Sequence, residues 1–158
     1  MNTSFVLPQV SWTTVPPVNS FFEKRRMYGE RRAPLILLIG PEHDTRFMLK
    51  ALLERWDFSV IDSSDVADSE EMFQVGIPDA VLIDVALHFD ESLQIIESVK
   101  DRFERTDVPF ILLAGFVKPE YRETALQHGA TNLFEKPVDF DELRIYLNQL
   151  TRGGILPE

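Results

Sequence analysis

The chain has 158 residues, 44% of them hydrophobic and 27% charged, a balance suited to one globular domain with some chain to spare. It has no cysteine, which excludes disulfides, thiolate metal sites, iron–sulfur clusters and a cysteine nucleophile. Only three histidines are present (His43, His88, His128) with no H-x-x-x-H pair, so a histidine-built zinc site is not expected. No apolar run approaches the roughly 20 residues of a membrane span, and the N-terminus lacks the order of a secretory signal. The expectation is a cytoplasmic protein with no membrane partner.

The net charge of −10 is unevenly spread. Residues 1–33 hold five bases against two acids, a net +3; the remainder holds 11 bases and 24 acids, a net −13. So acidic a body repels phosphate backbones, and direct nucleic-acid binding is not expected. Pro8, Pro16 and Pro17 among scattered Ser and Thr read as a flexible leader over 1–33. Glu23–Arg32 (EKRRMYGERR) reads either as a solvated linker or as a basic contact patch for an anionic partner. Met27 raises a plainer reading, in which the natural start lies there.

From Pro34 onward, apolar runs alternate with amphipathic segments. Leu35–Gly40 (LILLIG) has no polar alternation, as expected of a strand covered on both faces. Asp44 then offers an N-cap to a helix whose apolar positions are Phe47, Met48, Ala51, Leu52 and Trp56. Phe58–Asp62 reads as the second strand, and Ala67–Val75 as a weaker second helix. The acids Asp62, Asp65, Asp68, Glu70 and Glu71 read as a solvated face. Pro78 breaks the chain before Ala80–Val85 (AVLIDV), the third strand. Leu93, Ile96, Val99 and Phe103 mark one face of the third helix. Val108–Gly115 (VPFILLAG) is the fourth strand, Pro119 fits the first turn of a helix running to His128, and Gly129 stops it. Thr131–Glu135 (TNLFE) is the fifth strand. Phe140, Leu143, Leu147 and Leu150 line the last helix, with Asp139 or Asp141 near its start.

Five strand–helix units of about 25 residues predict a doubly wound α/β domain over 34–151, with 152–158 as a short tail. The flavodoxin-like (βα)5 order 2-1-3-4-5 is the expected parallel sheet, with function at the carboxyl ends of its strands.

Two such ends carry chemistry: Asp84 closes the third strand, and Lys136-Pro137 follows the fifth. With Pro78–Asp84 (PDAVLID), Gly129–Pro137 (GATNLFEKP), His43–Glu54 (HDTRFMLKALLE) and VPFILLAG, the body resembles the receiver domain of two-component response regulators over about Pro34 to Leu150. The resemblance implies phosphorelay signalling without enzymatic turnover of its own. Asp84 would be the phosphoacceptor and Lys136 its phosphate-facing cation. A Mg²⁺ ion would be held by two acids at the end of the first strand, by Asp84, and by the carbonyl two residues on, at Ala86. A hydroxyl on the fourth strand and an aromatic on the fifth would supply the switch.

This sequence departs from that pattern at most of those places. The acidic pair is replaced by Gly40 and Pro41, the hydroxyl by Ala114, and the aromatic by Leu133, with Phe134 expected on the opposite face. His88 and Ser92 stand where the family has a proline and a glycine. One carboxylate and one carbonyl make a poor Mg²⁺ site, so no cofactor is expected unless Glu42 substitutes. The expected state of Asp84 is a plain ion pair with Lys136, with phosphorylation slow or absent. Eight residues after Leu150 suggest a stand-alone receiver acting through protein contacts. Its partner would be a sensor histidine kinase or another signalling protein, met through the face of the fourth helix, fifth strand and fifth helix; homodimerisation there stays open. Two alternatives remain: a conventional receiver phosphorylated on Asp84, and a flavodoxin-like small-molecule binder. The second lacks a phosphate-cradling loop, since GPEHDT has no run of glycines. His43, His88 and Asp44 share the same edge as a weak adventitious metal cluster, and Trp56 and Phe58 read as core or half-core.

Overall fold

The computed structural model describes residues 33–65, 77–85, 89–103, 107–115 and 117–152. The leader, the Ala67–Val75 segment, Ala86, His88 and the tail beyond Arg152 lie outside the described residues.

Five strands form one parallel sheet: β1 (Leu35–Ile39), β2 (Ser59–Ser63), β3 (Ala80–Val85), β4 (Phe110–Ala114) and β5 (Asn132–Glu135). Their order is β2-β1-β3-β4-β5, as the unit spacing predicts. Four helices are described: α1 (His43–Arg55), α2 (Phe89–Phe103), α3 (Pro119–Gln127) and α4 (Phe140–Thr151). The apolar character of β1, β3 and β4, broken only by Asp84 in β3, follows from their central position, for every residue in them is buried. Alternation along each strand then sorts the side chains between two cores. Leu37, Val81, Ile83, Leu112 and Leu133 pack with Leu93 and Ile96 of α2 and Ala125 of α3. Ile36, Leu38, Leu82, Ile111 and Leu113 pack with Leu49 and Leu53 of α1 and Leu143 and Leu147 of α4.

Local signals set several boundaries. Pro119 opens α3 in its first turn, and Gly129 follows it with φ of 109°, a conformation that favours glycine. Asp139 is the N-cap of α4, its carboxylate accepting from the Asp141 and Glu142 N–H groups. Arg152 then fastens the far end of α4, donating to the Asp57 carbonyl at 3.0 Å, with its guanidinium over the Phe58 ring. Phe58 is core and Trp56 half-buried.

Four sequence expectations need correction. Asp44 is not the cap of α1; that position is Glu42, whose side chain makes no cap hydrogen bond, and Asp44 sits in the first turn. The buried stripe of α1 is Leu49 and Leu53, whereas Phe47 is 68% exposed and Met48 and Ala51 are also exposed. The run Phe47-Met48-Leu49 supplies an apolar residue to every face, so period alone does not choose between stripes. Asp62 is not part of a solvated face: it is half-buried between two cations. Strand β2 also runs one residue later than Phe58–Asp62.

Candidate functional site at the carboxyl ends of β1, β3 and β5

Parallel register places the end residues of neighbouring strands side by side. Ile39 pairs with Ile83, so Gly40 comes beside Asp84; Ala114 pairs with Glu135, and Lys136 N–H donates to the Ala114 carbonyl at 2.8 Å. Asp84 follows Leu82 by two residues and shares its face, that of α1 and α4. It is buried, at 4% exposure. Lys136 reaches back over β4, putting Nζ 2.5 Å from Asp84 Oδ1 and within 3.4 Å of the Val85 carbonyl. The ammonium compensates the charge, but its approach lies off hydrogen-bond geometry, and no other described donor reaches Oδ1. Pro137 follows through a cis peptide bond and is exposed.

Gly40 is itself buried, and the space beside it is already used. A Cβ there would lie 3.2 Å from Asp84 Cβ and 3.6 Å from its Oδ2. The glycine N–H donates to the Ser63 carbonyl, and its carbonyl accepts from Arg46 Nη1 at 2.6 Å. Arg46 also gives Nε to Asp62 Oδ2 at 2.9 Å, while Lys50 Nζ lies 3.3 Å from Oδ1. Burial pushes the Asp62 carboxyl up, but the hydrogen bonds and charges of Arg46 and Lys50 outweigh it and hold the group below its ordinary 3.8. Nothing in the sequence reading had marked Arg46 or Lys50; their separation from Asp62 by 16 and 12 residues hides the pairing. The i, i+4 spacing on α1 was the available signal, since it sets both cations on one side of the helix.

The switch positions are filled by packing. Ala114 and Leu133 belong to the core under α2 and α3. Phe134 points to the other face, as strand alternation predicts, and meets Tyr146 edge-on at 5.4 Å. Burial raises the Tyr146 hydroxyl above its usual range, only partly offset by a hydrogen bond with Asn132. Phe89 of α2 stacks on Tyr121 of α3 at 4.6 Å between centroids.

The resemblance implies a divalent cation here, and the donor set does not fit one. Asp84 already faces Lys136; Gly40 and Pro41 bring no carboxylate. Glu42, the candidate substitute, is exposed and accepts from the Thr45 hydroxyl. His43 and Asp44 pair with each other at 3.3 Å on the surface. Among the described residues, no three His, Asp or Glu side chains stand together as metal ligands would.

The family model described as the response regulator receiver domain matches residues 36–148. Transcriptional regulatory protein KdpE of Staphylococcus aureus is 26% identical over 117 residues, which are 74% of this chain and 49% of that one. An uncharacterised 14.6 kDa protein of Leptolyngbya boryana is 27% identical over 68% of this chain and 82% of its own. The chain thus spans about half the length of KdpE, and only 27% of ZraR of Klebsiella oxytoca, another match. Among solved structures, the receiver domain of the Francisella response regulator 1452 superposes with a TM-score of 0.68 at 18% identity, covering 76% of this chain and 98% of that one. A receiver domain of a histidine kinase from Syntrophus aciditrophicus gives 0.67 at 21%, over 80% and 96%.

Proposed function

We propose, from the premise that the chain belongs to the response regulator receiver domain family, that it works in two-component signalling as an atypical receiver. It acts by protein–protein contact, and phosphoryl transfer to Asp84 is slow or absent. The observation that carries this is the Asp84–Lys136 contact of 2.5 Å beside a glycine. In-line attack by a carboxylate on a phosphoryl group needs cationic compensation for the oxygens of the transferred group. Here Lys136 is committed to Asp84, and Arg46, the next cation along the edge, is committed to Asp62 and the Gly40 carbonyl. The acids that would recruit a metal are absent from the positions beside Asp84. With Ala114 and Leu133 packed into the core, neither a hydroxyl nor a swinging aromatic links Asp84 to the surface.

Sensor histidine kinases or other signalling proteins are the partners this reading names. Its output face is that of α3, β5 and α4. Several matched relatives are named as transcriptional regulators, and the acidic body of this chain supports a protein rather than a nucleic-acid contact.

The test is intact mass after incubation with acetyl phosphate and Mg²⁺, beside Asp84→Asn. No added phosphoryl group on folded wild type, with none after incubation with a panel of phosphorylated histidine kinases, supports the proposal. A phosphoryl group added to wild type and missing in Asp84→Asn overturns it in favour of a conventional receiver.

A further inference from the structure

The outer face of α1 carries Phe47, the most exposed large apolar side chain among the described residues at 68%, and Met48 at 46%. Leu49 and Leu53 seal the other side of the helix to the core. Along the outer face, Asp44, Met48, Ala51 and Arg55 follow one another at steps of four, three and four residues, and all four are exposed. That is the spacing of a seam along which two helices pair. The strip begins with an acid and ends with a base, set equally far on either side of Met48 and Ala51. Neither charge is committed within the fold. Among the described residues Arg55 makes no ion pair, and Asp44 has only the His43 ring beside it, at 3.3 Å on the surface. Arg46, Lys50 and Asp62 are engaged with one another on the flank toward β2.

We propose that this strip is a self-association surface, on which two copies of the chain pair their α1 helices antiparallel about a two-fold axis. Such an axis makes every contact occur twice. Placed midway between Met48 and Ala51, it sets Met48 of one copy on Ala51 of the other, and Asp44 on Arg55 at both ends of the seam. Ala51 is small enough to let the helices approach closely, and the flexible Met48 fills the space beside it. A parallel pairing would instead set Asp44 against Asp44 and Arg55 against Arg55, so the charges select the antiparallel arrangement. One helix pair is a small interface, and a reversible dimer at micromolar concentration is expected.

The exposed apolar residues of α4 offer no comparable fit to a second copy. Phe140 and Ile145 stand five positions apart, on different sides of the helix. Around them are Asp139, Asp141 and Glu142, with Arg144 the one base on α4, so two copies meeting there bring acid against acid. Pairing through α1 leaves the face of α3, β5 and α4 open to another protein. It does not depend on whether Asp84 is ever phosphorylated.

Sedimentation equilibrium of the full chain at low salt tests the proposal. A reversible dimer is expected for the wild type and a monomer for Met48→Glu, a change at an exposed position that leaves the core intact. Asp44→Lys and Arg55→Glu should each weaken association about tenfold, because two like-charge contacts replace two ion pairs. The folded double variant restores opposite charges and should associate as the wild type does. Because the chain has no cysteine, Asp44→Cys and Arg55→Cys give a second measurement that leaves the rest of α1 unchanged. Mixed, the two variants should be joined by a short bifunctional thiol reagent. Neither should be joined to itself, since like positions lie about 16 Å apart along the paired helices. A wild type that stays monomeric to millimolar concentration overturns the proposal, as does a dimer unmoved by Met48→Glu. So does a folded double variant without recovery, or either cysteine variant cross-linking to itself as well as the mixture does.

Discussion

Two aspartates stand on the same face of the sheet near its carboxyl edge, and they are stabilised in opposite ways. Asp62, on the edge strand β2, is half-buried and takes hydrogen bonds from two cations, Arg46 and Lys50. Asp84, on the central strand β3, is buried and faces one cation, Lys136, without a directed hydrogen bond to Oδ1. Gly40 lies between them, its carbonyl turned to Arg46 and its Cα hydrogens to Asp84. The more accessible carboxylate is the better satisfied, and among the described residues the less accessible one depends on a single cation. A buried charge with one partner is the arrangement in which removing that partner costs most.

The largest effect is expected from removing that partner. Lys136→Ala should lose about 3 kcal/mol of stability, because it strands the Asp84 charge in the protein interior. Asp84→Asn should stay within about 1 kcal/mol of wild type, since Lys136 is one-third exposed and can turn to water. Urea denaturation of both variants measures the asymmetry; equal losses would mean the two partners are alike and the contrast with Asp62 is lost.

Next comes Gly40→Ala. The added methyl would meet Asp84 Cβ at 3.2 Å, so the neighbour has to yield by a few tenths of an ångström. The expected cost is about 1 kcal/mol, opposing the usual gain from replacing a glycine. A stabilised Gly40→Ala protein would show that the edge is looser than its packing indicates.

Arg46→Ala should cost about 1 kcal/mol at neutral pH, a figure reduced by the partial exposure of Asp62 to water. The sign of its pH dependence is fixed by the direction of the Asp62 shift. The folded carboxyl titrates below its ordinary 3.8, so its contribution is complete above that value and is lost as pH falls through the lower folded value. The stability gap between wild type and Arg46→Ala should therefore be constant from neutral pH down to about 4 and close in more acidic solution. A gap unchanged at pH 2 would assign Arg46 to the Gly40 carbonyl alone.

Much of the fold is legible in the chain. Apolar runs, broken only by Asp84 in β3, mark β1, β3 and β4 as central strands because a strand covered on both faces has no solvent side for polar residues. Strand period alone sends Phe134 to the face opposite Leu133. The site is legible in its outer members: Asp84 stands one residue before the end of β3 and Lys136 one residue past the end of β5, and parallel strands with crossover helices bring their carboxyl ends to one edge. What the chain conceals is everything decided by packing between segments. The α1 stripe is misread because Phe47, Met48, Leu49, Leu52 and Leu53 satisfy more than one helical face. The role of Asp62 is hidden because acids nearby in sequence suggest a solvated run, whereas its partners come from a different element.

The sequence by itself determined the order of strands and helices, the start of α3 at Pro119 and its stop at Gly129, and the presence of an acid and a lysine at one edge. These depend on local conformational preference and on periods of two and 3.6 residues, which neighbours along the chain set. The tertiary structure alone decided which face of α1 is buried, that Gly40 is pressed against Asp84, and that Arg46 rather than a metal ligand turns to the Gly40 carbonyl. Those outcomes turn on close contacts such as that of Gly40 with Asp84, where a Cβ would lie 3.2 Å away across 44 positions of chain, and only the packed sheet brings such residues together.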